Sequence, residues 1–88
     1  MKSKKLTEGQ IDMAINSKII CLVKFDMNNN NISEDVAFKN VKETLLYQLL
    51  KNKKTDLFLK PKEYIEEAYR LEKTQSKDAM MEFITNPY

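Results

Sequence analysis

Three apolar runs at helical spacing, one Gly and two Pro in 88 residues predict a small all-α domain of three helices. Sheet proteins of this size need tight turns at short intervals, and Gly and Pro are too scarce here to supply them. The helices are expected at about 8–27, 34–52 and 61–85. Residues 7–88 then form one domain behind a basic disordered tail, residues 1–6.

The first helix starts where Thr7 and Gln10 fit a capping box, in which each side chain satisfies the other's free backbone amide. Ile11, Ile15, Ile19 and Leu22 follow at spacings that put them on one helical stripe. A competing pattern is the β-favouring run Ile19-Ile20-Cys21-Leu22-Val23, which could form a strand at 18–25. Helix is the stronger reading, because the stripe begins well before that run and directly follows a cap. Asn28 to Asn31 should end the element, since Asn tolerates left-handed backbone and competes for main-chain hydrogen bonds.

The second helix opens with Ser33 as N-cap and with Glu34 and Asp35 in the positive first turn. Ile32 and Ala37 can form a hydrophobic staple across that cap. Phe38, Val41, Leu45 and Leu49 make the main stripe, widened by Val36, Leu46 and Leu50. Leu45 and Leu49 are expected in the core. Lys51, Lys53 and Lys54 complement the negative C-terminal end.

The third helix begins near Pro61, which is preorganised for a first helical position and needs no amide partner there. Tyr64, Ile65, Ala68, Tyr69 and Leu71 supply an apolar face, and Ala79, Met80, Met81, Phe83 and Ile84 resume it. The stretch from Glu72 to Asp78 holds no apolar residue. The helix either continues through it with a solvated middle or breaks near Thr74–Ser76 with Ser76 as a new cap. With no Gly or Pro to force a break, the continuous helix is preferred.

Composition excludes several kinds of chemistry. There is no His and a single Cys, so an internal disulfide, a Cys/His zinc site and a His general base are all ruled out. Gly9 is the only Gly, so no glycine-rich phosphate loop exists. Cys21 reads as a reduced, small hydrophobe. Glu63, Glu66 and Glu67 read as helix-dipole complement and solvated face. The chain is expected to be no enzyme and to carry no cofactor or metal.

The basic start, Met1 to Lys5, is not followed by an apolar signal segment, and no run approaches the ~20 residues that span a bilayer. A cytoplasmic protein without a membrane partner is the expectation. Lys, Asn and Ile account for 29 of 88 residues, and their codons are AT-rich. That composition suits a phage or mobile element, whose protein would work in the host cell cytoplasm.

Two surfaces stand out as candidates for partner binding. Lys51, Lys53, Lys54, Lys60 and Lys62 surround Phe58 and are opposed only by Asp56. Such a loop could meet an acidic protein or, as a second choice, nucleic acid or a nucleotide. Against nucleic acid, net charge is only +2, Arg70 is the sole Arg, and the start of the third helix is acidic. The second surface is Met80, Met81 and Phe83. Adjacent Met side chains on a helix point about 100° apart, so one seam cannot bury both. The expected function is a small non-enzymatic binding protein, an inhibitor that occludes a host protein. The alternatives are a nucleic-acid-binding regulator using the Lys51–Lys62 loop, or a homo-oligomeric structural subunit.

Overall fold

The computed structural model describes residues 6–85, of which 84% are helical and none lies in a strand. Of the expected tail at 1–6, only Leu6 falls within the described residues. The all-α class holds. The three expected helices resolve into five: α1 (Glu8–Asn30), α2 (Glu34–Lys42), α3 (Leu45–Lys51), α4 (Lys62–Thr74) and α5 (Lys77–Thr85). Two short 3-10 turns, Lys53–Thr55 and Leu57–Leu59, connect α3 to α4.

The capping box forms at the start of α1. Thr7 Oγ1 accepts from Gln10 N at 3.1 Å, and Thr7 N donates to Gln10 Oε1 at 2.9 Å. The run at 18–25 is helical, so the strand alternative is withdrawn. Ile15, Ile19, Leu22 and Val23 bury one face of α1 in the core. The helix extends three residues past the expected end at 27, because Asn30 Nδ2 reaches back one turn to Asp26 Oδ1 at 2.6 Å. Asn31 then closes it in the left-handed conformation, φ 53°, with its N–H on the Met27 carbonyl.

The expected second helix breaks at Glu43–Thr44. Thr44 is extended and acts as a new N-cap, its Oγ1 accepting from Tyr47 N at 3.0 Å and donating to the Val41 carbonyl at 2.7 Å. The break inserts one residue into the apolar periodicity. Ala37, Val41, Leu46 and Leu50 are fully buried, at spacings of four, five and four. Leu45 and Leu49, expected at the centre of the core, are only partly buried, and Phe38 is exposed.

The expected third helix breaks too, at Gln75–Ser76. Ser76 Oγ accepts from Ala79 N at 3.0 Å and caps α5. Pro61 sits one position earlier than expected, as the N-cap residue of α4. The alternative with a cap at Ser76 is therefore correct, and the continuous helix 61–85 is not.

Glu72, near the end of α4, links these breaks. Its buried carboxylate accepts Leu45 N at 2.7 Å and Leu46 N at 3.0 Å, the free amides at the start of α3. Lys77, the first residue of α5, donates to the same carboxylate at 2.9 Å. One side chain thus ties α4 to α3 and α5. α1 packs against α2, α3, α4 and the second 3-10 turn, while α5 lies on α4.

Leu50→Ala should cost about 2–5 kcal/mol, and Leu49→Ala distinctly less, reversing the order expected for a continuous stripe. Thermal unfolding followed by circular dichroism measures both. Glu72→Ala leaves two helix-end amides without an acceptor and should cost about 2–4 kcal/mol. In Glu72→Gln one acceptor oxygen remains, and the loss in the same measurement should be smaller.

Candidate functional site

The connector between α3 and α4 is pinned at several points. Asn52 Oδ1 accepts from Lys54 N at 3.1 Å, and Thr55 Oγ1 donates to the Leu49 carbonyl at 2.8 Å. Asp56 takes a left-handed conformation, φ 57°, between the two turns. Leu57 and Phe58 insert into the core, and Lys18 of α1 donates to the Phe58 carbonyl at 3.0 Å.

This arrangement changes the expected site. Phe58 is buried and offers no ring face to a ligand. Leu59, the residue that follows it, is 60% exposed instead. The lysines also divide. Lys53 Nζ lies 3.4 Å from Glu8 and 3.5 Å from Asp12, binding the connector to the start of α1. The Lys51 and Lys60 ammonium groups sit over the rings of Tyr47 and Tyr64, at 5.9 and 5.1 Å from the centroids. Lys54 and Lys62 are exposed and make no ion pair among the described residues. The exposed part of the connector is therefore one apolar side chain, Leu59, followed in sequence by Lys60 and Lys62.

The second expected surface is mostly absorbed by the fold. Met80 is fully buried in the core. Met81 and Phe83 are partly buried, and the Phe83 ring lies 4.9 Å from that of Tyr64. Of the acidic group on α4, Glu67 accepts two hydrogen bonds from Arg70, which hold its carboxyl below the usual range. Among the described residues, no three Asp, Glu, Cys or His side chains converge as a metal site would require. Likewise, no helix is long and apolar enough to cross a membrane.

Sequence reasoning missed a further apolar groove of about 400 Å³ between α1 and α2. Ile19, Ile20, Val23 and Met27 line one side and Phe38 the other, with Lys24 and Glu34 among the lining residues. Ile20 is 52% exposed, Phe38 42%, and Met13 further along α1 71%. The signal was available as the seven-residue repeat Met13, Ile20, Met27. It was obscured because the stripe through Ile15 and Ile19 already accounted for α1.

A buried polar cluster lies on the core side of α1. Asp26 accepts from Asn30 and, at 3.0 Å, from Asn40 Nδ2, which clamps α2 to α1. The buried Tyr69 hydroxyl has no hydrogen-bond partner among the described residues. Burial first, and then the nearby Asp26 and Glu72 carboxylates, push its ionisation well above the usual tyrosine range. Because the folded state holds this proton more tightly than the unfolded chain, Tyr69 contributes stability that is lost as pH rises above about 10. Tyr69→Phe removes the titrating hydroxyl and should flatten the alkaline fall in melting temperature between about pH 10 and 12. Comparison with protein-family models, with curated proteins and with solved structures gives no match to this chain.

Proposed function

We propose that this chain is a non-enzymatic binding protein that acts by occupying the surface of an acidic protein partner, with the α3–α4 connector as its contact tip. The observation that carries this reading is Leu59, 60% exposed on a connector whose neighbours Leu57 and Phe58 are locked in the core. An exposed Leu on a pinned segment is an anchor that loses little conformational freedom on binding. Lys54, Lys60 and Lys62 supply the surrounding positive charge, which steers association with an acidic surface. The AT-rich composition supports a phage or mobile-element inhibitor of a host protein, acting in the host cytoplasm.

The test is affinity capture from the host lysate with the native chain, Leu59→Asp and a Lys60→Glu/Lys62→Glu variant. Circular dichroism checks that all three share one fold. A specific acidic protein should be retained by the native chain, with affinity falling at least about tenfold for Leu59→Asp. The charge variant should associate more slowly and with a flatter salt dependence. Equal capture by all three would remove the connector as the contact tip. Tight, salt-steep retention of the native chain on heparin would favour the nucleic-acid reading instead.

A further inference from the structure

α5 is nine residues long and lies on α4. A helix of that length does not persist alone in water, so its order depends on the packing beneath it. Met80 is fully buried, whereas Ala79, Met81, Phe83 and Ile84 are half-buried and Lys77, Asp78, Glu82 and Thr85 face water. Among the described residues, two polar links join α5 to other helices. Lys77 donates to Glu72 at 2.9 Å, and the Tyr64 hydroxyl donates to the Ile84 carbonyl at 3.5 Å. The Lys77 side chain is itself largely exposed, and the second link is too long to hold much.

The segment before α5 is complete without it. The Leu71 carbonyl accepts both Gln75 N, at 2.9 Å, and Ser76 N, at 3.1 Å, which closes α4 on its own backbone. Glu72 keeps its bonds to Leu45 N and Leu46 N when Lys77 leaves. α3 therefore stays seated, and any loss of order at α5 stops at the Gln75–Ser76 turn. α1, by contrast, sends four apolar side chains into the core and packs against α2, α3 and α4.

We infer that α5 is a strap that opens as one unit from an otherwise native molecule, with Gln75–Ser76 as its hinge and the Lys77–Glu72 pair as its latch. Local openings are drawn from segments with few buried side chains. Opening uncovers Met80 and the Tyr64 ring, whose centroid lies 4.9 Å from that of Phe83 in the closed form. Apolar surface hidden in the core thereby becomes accessible without global unfolding. Water reaches the Glu72 carboxylate in the same step, which offsets the loss of Lys77.

Native-state hydrogen exchange followed by NMR tests the strap. The amides from Met80 to Thr85 should share one protection factor, at least about tenfold below that of Leu22 and Val23 in α1. That factor should change little at low denaturant, because a local opening exposes little surface. Lys77→Ala should lower it severalfold while leaving Leu22, Val23, Leu45 and Leu46 unchanged. Thiol labelling gives a second readout in a Cys21→Ser background. Met80 and Leu22 are both fully buried, yet Met80→Cys should react with a disulfide reagent at least about tenfold faster than Leu22→Cys. Thermal melts of the two variants correct these rates for any difference in global stability. Protection that falls steadily from Met80 to Thr85 would mean fraying of a chain end and would overturn the inference. Protection in α5 equal to that in α1, or equal labelling of the two cysteines after correction, would overturn it as well.

Discussion

The carboxylate of Glu72 holds together the part of the chain that helix propensity alone would leave loose. α3 spans seven residues, too few to persist as an isolated helix in water. Its first amides are satisfied by a residue more than twenty-five positions later in the sequence. The same carboxylate receives Lys77 from α5. A charge buried this deeply is tolerated because its oxygens accept three hydrogen bonds, one of them from a cation. With α3 fixed on α4, Leu46 and Leu50 can enter the core between α1 and α4. The connector that follows is then anchored at its start.

This dependence also explains which features the sequence revealed. Local interactions were legible. The Thr7–Gln10 box, the Ser33 cap and the turn at Asn31 each involve residues within four positions of one another, and each formed where the residue types implied. Thr44 was not legible as a cap, because it stands inside an unbroken apolar rhythm and its helix is completed by Glu72 from a distant segment. One inserted residue was enough to exchange Leu45 and Leu49 for Leu46 and Leu50. The cap at Ser76 was visible as an alternative, and nothing local decided between it and continuity.

The surfaces follow the same division. The lysine cluster could be read directly, but which of its members are engaged could not. Lys53 is committed to Glu8 and Asp12 across more than forty residues, and Phe58 is drawn inward by packing on α1. What remains outside is Leu59. The Met80–Phe83 segment looked too apolar for one face, yet the break before α5 re-aims that helix and lets α4 and the core take most of it. On α1 the error ran the other way. One good stripe concealed a second.

The long first helix has a consequence for synthesis. Its core-facing partners on α4 are made after α1 is complete, and at ~5–20 residues per second that delay lasts several seconds. Over this interval the nascent α1 can fold on local hydrogen bonds and its own cap, while both of its apolar stripes stay open to water and to chaperones. α2 emerges first, and the Asp26–Asn40 clamp joins it to α1 without help from the rest of the chain. The first hairpin therefore provides an early, partial shelter, which the later arrival of α4 completes.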